Sequence, residues 1–463
     1  MTFQPTSQLR ARFAASLSTM YGREVPAYTT LVDVANEINS GLGGDSRVTA
    51  ERHGAIRVGT PRELRQVGQI FAGFGMYPVG FYDLRETGST PVPVVSTAFR
   101  PVDEIELELN PFRVFTSMLT VDDDRFFSAD LRRRLTTFLS GRALFSDELL
   151  TLASRAAEDN GLAEADADRF VELATAAFQL SSEPTDRAWY SELAEISAVA
   201  ADIGGVTRTH INHLTPRVLD IDELYRRLQA RGLHMIDKIQ GPPRWNGPDV
   251  LLRQTSFRAL DEARLFVEPD GTVAPGTTRV RFGEVEQRGI ALTPLGRQRY
   301  DDLMAATDAA ASTGLSWQDA GRSVWEASTF PLDHDGLRRA GLAYFTYRVI
   351  AARGARPLSS DADLDALITA GVVEAVPIIY EDFLPRSAAG IFQSNLTGDG
   401  AMDGERRGAH YDIGWLADTL GYTVHMPEQL YAAQRIRSLH ACCAELNIDP
   451  ARQSPDNLIL EAQ

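Results

Sequence analysis

Residues 53–58, His-Gly-Ala-Ile-Arg-Val, and residues 213–218, His-Leu-Thr-Pro-Arg-Val, carry matching residue types at matching positions. Counted from each histidine, an arginine follows at offset 4, a valine at 5, a glutamate at 10 and a leucine at 11. In both copies a strand-like run leads into a helix that begins at a capping residue and ends at a glycine. Five matched offsets with the same order of elements indicate an internal duplication of one strand–helix–strands unit.

The direction of the side chains along these two strands places each histidine on the same face as an arginine. Residues two apart on a strand share a face, so His53 and Arg57 point the same way, as do His213 and Arg217. Equivalent histidines at equivalent strand starts are what a metal site on a pseudo-twofold axis requires. His210 has the opposite strand parity and no counterpart in the first copy, so we expect a packing or supporting role for it.

A third strand supplies carboxylates. Residues 280–289 read Val-Arg-Phe-Gly-Glu-Val-Glu-Gln-Arg-Gly, so Glu284 and Glu286 lie on one face of a predicted strand. Two imidazoles and one carboxylate, with coordination positions left open, are typical of non-haem Fe(II) oxygenases. The residue pattern leaves Glu284 and Glu286 nearly equal as the third ligand, and we expect the other to pair with an arginine.

The composition of the chain excludes several classes of protein. The 463 residues include 46 Lys+Arg and 63 Asp+Glu, a formal charge of −17 without a long basic stretch, so neither nucleic acid nor an anionic membrane is an expected partner. We expect no secretory signal and find no apolar run of membrane-spanning length, which predicts a cytoplasmic protein. Nucleotide-binding G-x-x-x-x-G-K-[ST] and serine-hydrolase G-x-S-x-G motifs are absent.

The only cysteines, Cys442 and Cys443, are predicted to be buried thiols on a C-terminal helix. The sequence does not indicate an oligomeric state.

Changes in composition and hydrophobic periodicity divide the chain into four predicted segments. These are residues 1–102 with N-terminal helices and the first unit, 103–200 as a helical insertion, 201–293 with the second unit, and 294–463 as a helical region with a C-terminal segment. The strands predicted after each unit's helix lie at 77–82, 92–98, 233–239, 252–258 and 278–288.

These motifs resemble the vicinal oxygen chelate superfamily. The resemblance implies an α+β fold in which two βαβββ-type modules form a metal-holding half-barrel, here with large helical insertions. The run Phe-Gly-Glu-Val-Glu-Gln-Arg at residues 282–288 is similar to the glutamate strand of the 4-hydroxyphenylpyruvate dioxygenase branch, and this similarity selects Glu284 over Glu286.

The chain resembles the 2-oxoadipate dioxygenase/decarboxylase family, also called D-2-hydroxyglutarate synthase, still more closely. The resemblance covers essentially the whole chain and is carried by RHGAIRVGTPREL at 52–64, THINHLTPR at 209–217, FGEVEQRGIALTPLGR at 282–297 and YEDFLPRSAAGIFQSNL at 380–396. It implies an Fe(II) enzyme that uses O2 to convert 2-oxoadipate to D-2-hydroxyglutarate and CO2 in lysine catabolism.

The resemblance also implies roles for individual residues. The metal ligands are His53, His213 and Glu284, and Arg57 holds a substrate carboxylate, for which a guanidinium is well suited. The other expectation for Arg57 is a structural ion pair with Glu284 or Glu286. The loop 381–396 is expected to return to the active site, where the substrate-binding candidates are Arg386, Ser387 and Gln393. Arg386 is expected to tighten binding of the distal carboxylate or to change which oxo acid fits.

Two other functions remain open at this point. A non-redox isomerase or lyase of the same superfamily would use its metal as a Lewis acid on a small oxo acid. Such a site usually recruits a second carboxylate, and Glu286 is the residue that would provide it. A binding protein with an inactive site is disfavoured because all three ligands are present.

Overall fold

The computed structural model describes residues 2–86, 91–279, 281–350, 363–384 and 408–449. The strands in these ranges are β1 Phe3–Pro5, β2 Arg52–Val58, β3 Tyr77–Asp83, β4 Val94–Arg100, β5 Arg113–Leu119, β6 Gly161–Ala163, β7 Thr185–Asp186, β8 Ile211–Pro216, β9 Leu252–Ser256, β10 Glu262–Val267, β11 Val273–Thr278, β12 Glu284–Arg288, β13 Phe345–Val349 and β14 Val373–Pro377.

The helices alternate with these strands along the chain. They are α1 Thr6–Glu24, α2 Pro26–Gly41, α3 Ser46–Ala50, α4 Pro61–Gly73, α5 Glu104–Leu109, α6 Ala129–Ser140, α7 Asp147–Asp159, α8 Glu164–Ala177, α9 Arg187–Ile196, α10 Ala198–Gly204, α11 Ile221–Ala230, α12 Pro294–Ala311, α13 Trp317–Glu326, α14 His334–Arg339, α15 Leu364–Thr369, α16 Ile413–Leu420 and α17 Pro427–Leu446. None of the helices in the described ranges is both long and apolar enough to cross a bilayer. The predicted cytoplasmic location stays a prediction.

The chain folds into two compact units. Unit 1 contains Met1–Gln240, Gln254–Gln287 and Asp382–His425, and unit 2 contains Gly241–Arg253, Arg288–Glu381 and Met426–Gln463.

The first duplicated module is a βαβββ arrangement in unit 1. Strand β2 leads through α4 to β3, β4 and β5, and the sheet order is β3-β4-β5-β2-β8. Strands β2 and β5 are parallel, whereas β3–β4, β4–β5 and β2–β8 are antiparallel. The predicted α+β fold with βαβββ-type modules is therefore confirmed.

Strand β5 was not predicted, because residues 103–200 read as helical. All seven of its residues are buried, among them Arg113, Thr116 and Ser117. A strand buried on both faces loses the apolar–polar alternation by which a strand is recognised. The first module consequently extends to Leu119, past the predicted boundary at residue 102.

The second module repeats the strand order of the first. Strand β8 leads through α11 to residues 235–240, β9 and β12, and β12 pairs with β9. Arg217, just after β8, pairs in parallel with Glu286 of β12, as β2 pairs in parallel with β5. The β10–β11 hairpin is an insertion in this module.

The predicted strand at 233–239 is reduced to isolated bridges. Met235 pairs with Phe257, and Gln240 pairs with Gln254. Between them Asp237 and Lys238 are exposed, so the segment turns towards solvent and the ladder is interrupted.

Equivalent caps begin the equivalent helices of the two modules. Thr60 accepts a hydrogen bond from the Glu63 backbone and Pro61 occupies the first helical turn of α4, as the sequence predicts. Asp220 accepts the corresponding bond from Glu223 at the start of α11. Both helices pack apolar side chains into one core cluster that also includes α1, α2, α7 and α8.

The described part of unit 2 is built mainly from helices and contains the antiparallel strand pair β13–β14. Strands β13 and β14 pair along their full lengths, from Phe345 opposite Pro377 to Val349 opposite Val373. Strand β13 was not predicted, because residues 294–463 were expected to be mainly helical. The free thiols of Cys442 and Cys443 are buried on α17, as predicted.

Candidate metal centre

Strands β2, β8 and β12 bring together the three residues that the motifs single out. One ligand atom from each of His53, His213 and Glu284 lies within 4.8 Å of the others, and all three residues are buried. His53 Nε2 is 3.5 Å from Glu284 Oε2, and His213 Nδ1 is 3.3 Å from Glu284 Oε1. The antiparallel register of β2 and β8 places His213 opposite Ala55, two residues from His53. The duplicated strands are thus neighbours, which puts their histidines side by side.

Glu286 lies behind His53 rather than within this group. Glu286 Oε2 is 2.8 Å from His53 Nδ1, and its Oε1 accepts a hydrogen bond of 3.2 Å from Arg113. A carboxylate on Nδ1 favours the tautomer that leaves Nε2 as the metal-binding atom. The geometry therefore separates the two glutamates that the strand pattern left nearly equal, and Glu286 has the arginine partner expected for the second of them.

The protonation equilibria of the group are shifted by burial and by neighbouring charges. Burial, followed by the charges of His53 and Arg57, holds the pKa of His213 well below its ordinary value, so this imidazole is neutral. Burial alone lowers the pKa of His53, but the neighbouring carboxylates of Glu286 and Glu284 outweigh it and raise the pKa. Burial raises the pKa of Glu284. A divalent cation would offset the cost of ionising this buried carboxylate.

The buried histidines have the unsatisfied nitrogens that a metal would use. Neither ring nitrogen of His213 nor Nε2 of His53 has a hydrogen-bond partner among the described residues. Buried polar atoms without a partner destabilise a fold, so such atoms in a native structure need an explanation. Two imidazoles and one carboxylate fit a divalent transition metal, since this donor set holds it and leaves positions open.

Arg57 has an ion-pair partner that sequence reasoning missed. Its Nη1 lies 2.5 Å from Oδ2 of Asp202 on α10, and both side chains are buried. Asn212 also donates to Asp202, at 2.8 Å. His210 Nε2 is 3.4 Å from the other carboxylate oxygen, and burial lowers the pKa of His210 to about 3. His210 therefore has the supporting position that its strand parity predicts.

A second buried network joins both modules behind the metal group. Glu51 accepts from Arg113 at 2.9 Å and from Arg217 at 3.0 Å, and Arg113 also donates to Glu286. Glu51 and Arg113 were not singled out in the sequence, because a charged residue in a strand or next to one gives no sign that it is buried. The charges are paired, which is the condition for burying them.

Aromatic rings form one wall of the centre. The Phe383 ring stands edge-on to His53 with 5.0 Å between centroids, and it also contacts Phe115 at 5.1 Å. Asp382 forms a buried bidentate ion pair with Arg100 at 2.8 and 3.0 Å, which fixes the backbone next to Phe383. The predicted substrate residues that follow on this segment lie outside the described residues; they are Arg386, Ser387 and Gln393.

The paired βαβββ modules and their buried two-histidine, one-carboxylate group define an α+β protein with a candidate mononuclear metal centre. The chain belongs to the 2-oxoadipate dioxygenase/decarboxylase family, whose family model matches residues 13–395. This assignment agrees with the family that the motifs resemble.

Similar proteins of known name cover nearly the whole chain. A protein of Mycobacterium tuberculosis named 2-oxoadipate dioxygenase/decarboxylase is 55% identical over 443 residues, which are 92% of this chain and 96% of that protein. One of the same name from Pseudomonas putida is 40% identical over 471 residues, covering 96% and 98%. The crystal structure of the hydroxyglutarate synthase in complex with 2-oxoadipate from Pseudomonas putida superposes with a TM-score of 0.80 and 37% identity, covering 97% of this chain and 100% of that chain.

Proposed function

We propose that this protein is an Fe(II)-dependent dioxygenase and decarboxylase that converts 2-oxoadipate and O2 to D-2-hydroxyglutarate and CO2. The observation that carries the proposal is the buried group of His53, His213 and Glu284 in a chain of this family. The reaction balances without an external reductant. A six-carbon oxo diacid and O2 give a five-carbon hydroxy diacid and CO2, and the substrate supplies the electrons that reduce both oxygen atoms. A place in lysine catabolism, which the resemblance implies, stays a prediction.

In this proposal His53, His213 and Glu284 hold the metal. A bound Fe(II) would supply the redox chemistry with O2. The neutral imidazole of His213 supports a ligand role, as does the pairing of His53 Nδ1 with Glu286. Glu286 orients His53 and strengthens it as a donor.

Arg57 binds a carboxylate of the substrate. Its side chain lies on the same strand face as His53, four residues further along β2. A guanidinium presents planar pairs of N–H donors that match a carboxylate bidentately, which fixes the substrate's orientation as well as its position. We also assign Arg386, Ser387 and Gln393 to the substrate side of the site, with Arg386 on the distal carboxylate.

The aromatic wall excludes water from the reacting carbon. Phe383 covers one side of His53 with apolar surface, Phe115 packs against Phe383, and both phenylalanines are buried. Exclusion of water protects a reactive oxidising centre and strengthens the charge interactions of Arg57 with the substrate.

Sites of the non-redox alternative usually have a second carboxylate on the metal. Glu286 was the candidate for this second carboxylate. However, one of its oxygens contacts His53 Nδ1 and the other contacts Arg113. The group of potential ligands within the described residues contains one carboxylate, Glu284. This favours the oxygenase over the isomerase or lyase.

The test starts from metal-stripped protein reloaded anaerobically with Fe(II). We expect that adding 2-oxoadipate and O2 consumes oxygen and releases equal amounts of CO2 and 2-hydroxyglutarate. His53→Ala should abolish both metal retention and turnover. His210→Gln is the matched control for metal content, because His210 is an equally buried histidine outside the ligand group and should retain one equivalent of metal.

Each other outcome contradicts part of the proposal. Uptake with another 2-oxo acid but not with 2-oxoadipate would retain the chemistry and change the substrate. Tight binding of Zn or Mn with no oxygen uptake on any 2-oxo acid would exclude the oxygenase and favour the Lewis-acid alternative.

A further inference from the structure

The carboxylate of Asp202 lies at the centre of a buried polar cluster in unit 1. Its side chain is 2% exposed, and it receives Arg57 Nη1 at 2.5 Å and Asn212 Nδ2 at 2.8 Å on the same oxygen. His210 Nε2 lies 3.4 Å from the second oxygen. A buried carboxylate is expensive to maintain unless its charge and lone pairs are met, so this arrangement specifies the position of each partner.

We propose that Asp202 is a positioning residue that fixes the guanidinium of Arg57 for the substrate carboxylate. The inference rests on the proposed function, in which Arg57 binds a 2-oxo dicarboxylic acid. An arginine side chain loses much conformational freedom when it binds a ligand, and a partner that holds it beforehand reduces that cost. Asp202 thereby increases substrate affinity without touching the substrate.

The contact leaves the geometry of substrate binding available. Asp202 engages Nη1, one of three nitrogens, and a guanidinium has five N–H donors in a planar fork. A contact at one nitrogen and a bidentate contact with a substrate carboxylate are therefore compatible on one Arg57 side chain.

The same cluster fixes Arg57 relative to the metal ligands. Thr209 Oγ1 donates to the backbone carbonyl of Arg57 at 2.6 Å, which ties the end of β2 to the segment that enters β8. Asn212, a donor to Asp202, is the residue next to His213. The position of the guanidinium is therefore set from the strand that carries one predicted metal ligand.

The experiment compares Asp202→Asn, which keeps the side-chain volume, with Asp202→Ala. Binding of 2-oxoadipate to the anaerobic Fe(II)-loaded protein is measured by titration calorimetry, and KM and kcat are measured in air. We expect both Kd and KM to rise by about 10–100-fold, as for a misplaced positioning group, with a smaller change in kcat and an unchanged metal content. Asp202→Glu should recover part of the affinity.

Glu63→Gln is the matched control. Glu63 is another buried carboxylate in an arginine pair, with Arg142 at 2.7 Å, and it has no assigned contact with the substrate. It should lose stability while its Kd for 2-oxoadipate stays that of the wild type. An equal loss of affinity in Glu63→Gln and Asp202→Asn would show a general structural effect and overturn the proposal.

A double-mutant cycle with Arg57→Ala separates a role through Arg57 from a direct one. If Asp202 acts through Arg57, adding Asp202→Asn to Arg57→Ala weakens binding no further. A full additional loss in that background, or wild-type affinity in Asp202→Asn alone, contradicts the inference. The titration needs no turnover, so a wild type that binds 2-oxoadipate without forming 2-hydroxyglutarate would disprove the proposed reaction only. If the wild type binds 2-oxoglutarate instead, the substrate assignment is wrong and the cycle is run with that acid.

Discussion

The two βαβββ modules share a strand order but give different residues to the metal centre. In the first module His53 pairs with Arg113, and Ala55 pairs with Phe115. In the second module Arg217 pairs with Glu286, so Glu284 lies two residues earlier, level with Thr215. His53 corresponds to His213 and Ala55 to Thr215, and Phe115 therefore occupies the position that corresponds to Glu284. The two modules carry a histidine at the same position, which gives two histidines. They differ at the next position, where only the second module has a carboxylate.

The equivalent arginines differ in the same way. Arg57 pairs with Asp202 on the face of the proposed substrate, whereas Arg217 pairs with Glu51 in the buried network behind the ligands. Under the proposed function, the duplicated module therefore provides one substrate-binding arginine and one structural arginine from the same position. The fold sets where residues converge, and single substitutions in one copy of the module decide which chemistry that convergence supports.

The largest expected effect on metal binding comes from replacing Glu284, whose equivalent in the first module is Phe115. Glu284→Ala removes the only carboxylate in the ligand group that the described residues contain, so we expect the protein to lose its metal and all oxygen uptake. Phe115→Ala, the equivalent change in the first module, should retain one equivalent of metal. Metal analysis after gel filtration checks both variants, and metal loss from the Phe115 variant would contradict the assigned asymmetry.

A glutamate at the same position in both modules should change the site from a three-ligand to a four-ligand metal site. Phe115→Glu places a second carboxylate at the position equivalent to Glu284, a four-ligand set of the kind that non-redox metal enzymes use. The new carboxylate is buried, so the metal-free variant should be less stable than wild type and Zn or Mn should raise its Tm. Oxygen uptake with Fe(II) should be lost because the added ligand takes a position needed by substrate or O2. A variant that keeps full uptake would refute the positional equivalence.

A smaller effect is expected from Glu286, which in the first module corresponds to Ser117. Glu286→Gln keeps the volume but removes the charge beside His53 Nδ1. Loss of a carboxylate behind a metal-binding histidine typically lowers metal affinity about 10–100-fold, and we expect a decrease of that size. Competition with a chromophoric chelator measures it. Complete loss of metal would instead assign Glu286 as a direct ligand.

The smallest expected effects are on stability, and they differ between Glu63 at the start of α4 and Glu223 at the start of α11. Glu63 accepts from the Gly59 and Thr60 backbone and pairs with Arg142, all in a buried setting, so Glu63→Gln should lower the free energy of unfolding by about 2 kcal/mol. Its counterpart Glu223 is a partly exposed partner of two arginines on its own helix, and Glu223→Gln should leave the urea midpoint unchanged. Equal midpoints for the two variants would contradict this difference.

Local patterns predicted a large part of the site. The histidine repeat, strand parity and the glutamate strand pointed to the three residues that the structure brings together, and the family resemblance selected Glu284. The partner of Arg57 escaped prediction because Asp202 lies 145 residues away on a short helix with no motif of its own. Strand β5 escaped prediction because burial on both faces removed its periodicity.

The sequence by itself determined the duplicated module, the paired histidines and the family, because these follow from residue types at fixed spacing along the chain. The residue pattern left Glu284 and Glu286 nearly equal, because both share a strand face. The tertiary structure shows that Glu284 faces the two histidines and that Glu286 lies behind His53. It also decided that Asp202 holds Arg57 and that Phe115 stands where a second carboxylate would be. Those choices depend on strand register and on contacts between distant residues, which spacing along the chain does not encode.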